Sequence, residues 1–232
     1  MDYIHSQKSR RKQGFFPSTI LFEDEYVMAM VKPPELPTAN APKGTESLFT
    51  LVQAYLPTAA FVGVVSRLDA LVSGVVVMAK TKASAAGLSK QFRERTVKKC
   101  YRAVCTGRFP APIGKWVEWR DELVRQTVSD GLVTEKKQHA DVRCRVLKRA
   151  GEVCLVELNP SSGRKHQLRT QLSHYGCPIV GDRRYGSRLP FPAGIALHSA
   201  LLECKHPHTG QKMCFEAPLP ETWKNCFPAL FS

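Results

Sequence analysis

Asp69 is the acidic residue whose setting suggests chemistry. It lies in a short polar insert between two apolar runs, Val64-Val65 and Val75-Val76-Val77-Met78. The second run is continuous and β-branched, which predicts a buried strand, and Val64-Val65 predicts the end of another. Asp69 therefore falls on a loop that a rigid sheet would hold, the usual place for chemistry. Asp also favours turns and caps, so this stretch alone leaves both readings open. A carbohydrate hydrolase would need a second, matched acid near Asp69, and the segment supplies none. A second group is the run Arg164-Lys165-His166-Gln167-Leu168-Arg169. Placed at a helix start, it would suit a phosphate or carboxylate; the ordinary alternative is a solvated basic face. Third, Lys99 and Tyr101 are two apart in an alternating stretch and so share one strand face. A tyrosine there is most often a core aromatic with its hydroxyl served.

The elements that must position these residues are legible in part. Ile20-Leu21-Phe22 and Tyr26 to Val31 read as two strands around the acidic turn Glu23-Asp24-Glu25. Lys32-Pro33-Pro34 stops the second strand. Leu48, Leu51, Val52 and Tyr55 have helical spacing, ended by Pro57. Thr81 is placed to cap a helix from Lys82 to about Glu94. Val97 to Cys105 alternates as a strand. Residues 107–135 read as irregular strands and turns. His139 to Lys148 and Cys154 to Leu158 read as a strand pair across Ala150-Gly151. A helix is expected from Arg164 to Gly176, with Ser161 or Ser162 as its cap and Gly176 as its stop. Cys177 to Asp182 and Ile195 to Cys204 are expected strands. Pro207 to Gly210 is a hairpin turn with its return at Lys212 to Glu216, and a short helix lies near Trp223. Strands dominate, which predicts an α+β fold with mainly antiparallel sheet and flanking helices.

Lysine and arginine number 34 against 20 acidic residues, a net charge of +14. That surplus favours a polyanionic partner, nucleic acid first and an anionic membrane second. No run of apolar residues is long enough for a transmembrane helix. Residues 1–17 read as a disordered basic arm without a secretory h-region. A cytoplasmic location is expected. An organellar presequence stays open because Lys8, Arg10, Arg11 and Lys12 cluster. The eight cysteines contain no Cys-x-x-Cys pair, and Cys204-Lys205-His206-Pro207-His208 lacks a second ligand pair at zinc spacing. Reduced thiols and no metal are expected.

Several segments then speak together. Ser66-Arg67-Leu68-Asp69 with Ser73-Gly74 resembles the His-Arg-Leu-Asp-x-x-Thr-Ser-Gly motif of the RluA-type pseudouridine synthases. Lys99-x-Tyr101-x-Ala103 with Gly107 resembles the tyrosine strand of that family. Gly163-Arg164-Lys165-His166-Gln167-Leu168-Arg169 resembles its Gly-Arg-Thr-His-Gln-Ile-Arg helix. Pro178-Ile179-Val180-Gly181-Asp182 with Tyr185-Gly186, then Leu197-His198 and His206-Pro207, resemble its C-terminal signature. The opening, Ile20 to Asp24 and Lys32-Pro33, also fits, so the likeness runs from about Thr19 to Trp223.

The resemblance implies two subdomains around a central cleft, with residues 18–232 as the catalytic domain and no S4-like domain ahead of residue 18. It implies isomerisation of uridine to pseudouridine in rRNA or tRNA by a monomer, without cofactor or metal. The target uridine must leave the stack, which costs a few kcal/mol that a basic cleft must supply. Asp69 is implied as the catalytic carboxylate, attacking covalently or removing a sugar proton. Arg169 is implied as the cation that keeps it ionised. Tyr101 is implied to stack on the target base near the C5 proton, Leu168 to pack against the base, and Arg67 to hold the opened RNA. Lys99, Arg164, Lys165, His166 and Gln167 are implied to bind substrate. Four positions depart from the pattern: Ser66 for His, Ala70 for Arg, Val72 for Thr and Lys165 for Thr. The altered loop around Asp69 favours, as the alternative, a non-catalytic RNA-binding or ribosome-assembly protein on the same fold.

Overall fold

The computed structural model describes residues 18–42, 44–57, 60–129 and 132–232; the expected basic arm, 1–17, lies outside them. The strands are β1 (Thr19–Glu23), β2 (Val27–Lys32), β3 (Gly63–Val64), β4 (Ser73–Ala79), β5 (Lys98–Thr106), β6 (Val117–Ser129), β7 (Leu132–Ala150), β8 (Val153–Pro160), β9 (Leu197–Lys205) and β10 (Lys212–Glu216). The helices are α1 (Leu48–Tyr55), α2 (Lys82–Arg93), α3 (Gln167–His174) and α4 (Glu221–Cys226). Among the described residues the strands form one 10-stranded sheet in the order β1-β2-β4-β9-β5-β8-β7-β6, with β3 beside β4 and β10 beside β9. Every pairing is antiparallel except β4 with β9. The α+β architecture expected from the sequence is the one observed. None of the described helices is long and apolar enough to cross a membrane.

Packing on both faces explains the unbroken apolar run in β4. Val76 and Met78 meet Leu48 and Val52 of α1 on one face. Val75, Val77 and Ala79 meet Leu88 of α2 on the other. A second half of the sheet, β5, β8 and β7, packs with α3 and the C-terminal Trp223 and Leu230 in a separate core. Thr81 caps α2 by accepting from the Ser84 backbone N–H at 3.0 Å, as its residue type predicts.

The halves join at the parallel contact, which is only Ser73 opposite His198 and Gly74 opposite Ser199. Gly74 has φ 116, and a Cβ there would lie 2.3 Å from the Ser199 carbonyl oxygen, so no other residue fits. This joint lies directly after the loop that carries Asp69.

Three expectations need correction. Residues 117–129 are not irregular: β6 and β7 form a long antiparallel ribbon. Alternating charges on its outer face, Glu118, Arg120 and Glu122, hide the period of two. Trp119, stacked between Phe109 at 5.1 Å and Tyr175 at 3.9 Å, anchors the inner face, with Val117 packed beside the same core. Cys177 to Asp182 is not a strand; a single bridge, Cys105 to Ile179, is all that pairs. Pro178 there has no N–H to give a ladder. Finally, α3 begins at Gln167, not at Arg164, because His166 takes a left-handed φ of 55. Ser162 does not cap it; its Oγ donates to Gln167 Oε1 at 2.7 Å.

His198 gives the joint a pH dependence. It is fully buried, with Nε2 3.4 Å from the Ala217 carbonyl and Nδ1 2.8 Å from Ser73 Oγ. A carbonyl only accepts, so Nε2 carries the proton and Nδ1 accepts from Ser73. Burial pushes His198 down to about 4 from its usual 6.5, against a smaller opposing effect of the Ala217 bond. As pH falls the unfolded chain takes up this proton first. The stability contributed by the neutral ring is therefore complete above pH 6.5 and lost between 6.5 and 4, a loss of about 3 kcal/mol. Urea denaturation across that window should show the decline, and His198→Gln should flatten it. An unchanged slope in the variant would contradict this assignment.

Candidate active site

The loop from β3 to β4 is held from behind at successive residues. Thr38 Oγ1 donates to the Leu68 carbonyl at 2.8 Å and accepts from the Leu68 N–H at 3.0 Å. The Leu71 carbonyl accepts from Ile195, and the Asp69 carbonyl accepts from Val72. Lys32 is fully buried, and its ammonium donates to the carbonyls of Pro33, Leu36 and Ala70 at 2.7, 2.7 and 3.1 Å. Those three bonds use all three of its donors. Burial pushes Lys32 down to about 7, with the Asp69 charge pulling the other way. Val72, where the family pattern has a hydroxyl, is buried in the larger core. Its backbone N–H and Lys32 brace the loop without a side-chain oxygen at 72.

The first turn of α3 brings Arg169 to this loop. Nη1 lies 3.2 Å from Asp69 Oδ2. The rest of the guanidinium is committed elsewhere: Nε and Nη2 donate to the two oxygens of Asp182 at 2.7 and 2.9 Å. The side chains of Arg169 and Asp182 are 5% and 1% exposed, that of Asp69 30%. Burial opposes the charge on Arg169, but the bonds and charges of Asp182 and Asp69 outweigh it and hold the group above its ordinary value. The Tyr185 ring lies under the guanidinium, 4.9 Å from its centre. Tyr185 also holds His166, with 2.8 Å between its hydroxyl and Nδ1, and His166 Nε2 is 3.6 Å from Asp69 Oδ2. Burial lowers the His166 pKa, Asp69 opposes this, and Arg169, Lys165 and Arg184 add to it. Both protein contacts reach Oδ2, which leaves Asp69 Oδ1 without a protein partner among the described residues.

Tyr101 on β5 is half-buried against the larger core. Its hydroxyl shares a hydrogen bond with Ser199. Burial pushes it up to about 12, with the nearby Asp69 charge adding and the Ser199 bond opposing. The phenol is thus neutral over any working pH.

A cavity of about 480 Å³ opens over the Asp69–Arg169 pair, lined by Asp69, His166, Arg169, Asp182, Arg183 and Arg184 among others, with Tyr101 outside its lining. Arg183 and Arg184 are exposed, and neither forms an ion pair among the described residues. Nothing in the sequence analysis assigned a role to them, to Asp182, Tyr185, Lys32 or Thr38. The available signals were the segment Gly181-Asp182 to Tyr185-Gly186 and, for Lys32, the family-like opening at Lys32-Pro33.

Other expected substrate contacts are placed differently. Gln167 is buried, and its amide is spent on Ser162, the Arg164 N–H and the Asp141 carbonyl. Lys99 donates to the Ser162 carbonyl at 2.9 Å, and burial, with the Arg95 charge, pushes it down to about 8. Both brace the turn before α3 and neither lines the cavity. Leu168 is buried in the larger core. Arg164 reaches the His139 carbonyl at 3.4 Å, and Lys165 is exposed. Arg67 is exposed and lines a different cavity. Among the described residues no group of three or more His, Cys, Asp or Glu could hold a metal.

Residues 26–174 match the family model described as RNA pseudouridylate synthase. The chain is 32% identical over 226 residues to the ribosomal large subunit pseudouridine synthase C of Yersinia pestis, covering 91% of this chain and 68% of that protein. It is 33% identical over 228 residues to the ribosomal large subunit pseudouridine synthase D of Pseudomonas aeruginosa, covering 87% and 68%. Among solved structures, human RNA pseudouridylate synthase domain containing 4 superposes with a TM-score of 0.73 at 25% identity, covering 92% of this chain and 93% of that one. The chain belongs to the RNA pseudouridylate synthase family. It is an isomerase that converts uridine to pseudouridine in RNA.

The ion pairs differ in burial, and so in what their loss costs. Asp182→Ala strands the buried guanidinium and should lower stability by about 3–5 kcal/mol. Asp69→Ala removes a partly solvated partner and should cost about 1 kcal/mol or less. Urea midpoints measure both. Equal losses would show that Asp182 does not anchor Arg169.

Proposed function

We propose that Asp69 carries the sugar chemistry and that Arg169, fixed by Asp182, holds and aims its carboxylate. The observation that supports this most is the division of labour on Asp69: Oδ2 is occupied by Arg169 at 3.2 Å, while Oδ1 has no protein partner among the described residues. In the reaction the N1–C1′ bond breaks, the base turns, C5 bonds to C1′, and the C5 proton leaves while N1 regains one. Whether Asp69 attacks C1′ or takes a sugar proton, the step uses a free lone pair of the carboxylate. Tyr101, neutral with its pKa up at about 12, is a poor base at neutral pH, so its part is to stack on the uracil. His166 on the cavity wall borders the base, Leu168 backs the site from the core, and Arg67, Arg164 and Lys165 meet the RNA outside the cavity. Arg183 and Arg184 take phosphates beside the flipped uridine. Ribosomal RNA is the substrate we infer, on the strength of relatives named for the large ribosomal subunit.

Asp69→Asn keeps the shape and removes the charge. It should abolish pseudouridine formation, followed by mass spectrometry, and leave RNA affinity nearly intact. Turnover within about tenfold of wild type would remove Asp69 from this role, since loss of the reacting group costs far more. With a net charge of +14, RNA affinity should fall steeply with salt. The slope of log K against log salt should drop by roughly 0.7–0.9 for each of Arg183→Ala and Arg184→Ala. An unchanged slope would place both residues away from the phosphates.

A further inference from the structure

A second cavity, of about 520 Å³, lies beside the first. Arg67 lines it, and Asp69, two residues on, lines the other. Two extended residues span at most about 7 Å, a step comparable to that between neighbouring unstacked nucleotides. The wall of this cavity is tied to the catalytic loop. Thr38, which grips Leu68, also accepts at its carbonyl from the Phe49 N–H at 3.0 Å, and the Leu48 N–H donates to Pro37 at 2.8 Å. The cavity therefore keeps a fixed distance from Asp69.

Its lining has the chemistry of a base-binding pocket. Ser47 and Thr50 bind one another as the cap of α1 and are not available. Asn40, Thr45 and Arg67 have no side-chain hydrogen bond or ion pair among the described residues. Phe49 presents a half-buried ring, and no carboxylate lines the cavity among the described residues. An amide to read a base edge, an aromatic face to stack on and a guanidinium for the chain are the groups that unstacked RNA bases use. Asn40 also holds a left-handed φ of 57. Asparagine tolerates that region better than most side chains, so the backbone there is compatible with an amide on the cavity wall.

We propose that this cavity binds the nucleobase next to the target uridine, extruded with it, and so sets the sequence context of modification. The inference rests on RNA entering at Asp69 as described above. Pseudouridines are first mapped in RNA from cells lacking the gene, after treatment with the wild-type protein. A transcript of the mapped segment is then made with each flanking nucleotide replaced in turn by an abasic one. Asn40→Gly suits the test, because glycine accepts the backbone at 40 and loses only the amide. Wild-type kcat/KM should fall about tenfold or more at one adjacent abasic position. Asn40→Gly should already be low on the intact transcript, with kcat near wild type, and should lose little more at that position. Phe49→Leu, which keeps the apolar contact with the core beneath α1 but not the stacking face, should behave likewise. Equal abasic losses in wild type and both variants, or losses spread evenly over all flanking positions, would overturn the proposal. Turnover by Asp69→Asn on the same transcript would instead sink the catalytic assignment and leave this comparison standing on its own.

Discussion

Everything at the site depends on one guanidinium shared between two carboxylates. Asp182 is almost wholly out of water, and a charge in that position persists only if paired and hydrogen-bonded. Arg169 supplies two donors to it and is thereby fixed in rotation and depth. Its third nitrogen, Nη1, then points at Asp69, one hundred residues earlier in the chain. A lysine would keep the charge and lose the fork, so it would have no second donor direction to fix. The buried pair is a poor source of net stability; what it gives is geometry at the carboxylate.

The frame around this pair is rigid where it must be. The Asp69 loop is bonded at Leu68, Asp69, Ala70 and Leu71 through backbone groups and the side chains of Thr38 and Lys32. Loss of a hydroxyl at position 72 leaves those bonds in place, and Val72 joins the core instead. The departure at position 72 therefore changes the packing of the loop and leaves the bonds that hold its backbone in place. Burial holds the Tyr101 phenol well above its ordinary value, so the aromatic near Asp69 is uncharged.

The strands that frame the site were readable because burial dictates their residues. β4 is apolar on both faces because helices cover both, and Thr81 announces α2 by cap chemistry alone. The ribbon of β6 and β7 was not readable, since a solvated two-stranded ribbon needs no apolar alternation. The start of α3 was misread because nothing in Arg164-Lys165-His166 announces a left-handed histidine. Asp69, Tyr101 and Arg169 were identified from family-like motifs, and the structure brings Arg169 to Asp69. Asp182 was missed as a partner because sequence spacing cannot show which arginine a distant aspartate meets. Gln167 and Lys99, polar residues in family-like motifs, read from sequence as substrate contacts. Their polar atoms turn out to be consumed inside the fold.

The most direct measurement is the single-turnover rate of pseudouridine formation by Arg169→Lys at saturating protein, read beside its RNA affinity. If the fork of Arg169 aims Asp69, the rate falls about a hundredfold, the scale expected for a misplaced reacting group, while affinity stays near wild type. A wild-type rate with lysine at 169 would contradict the account.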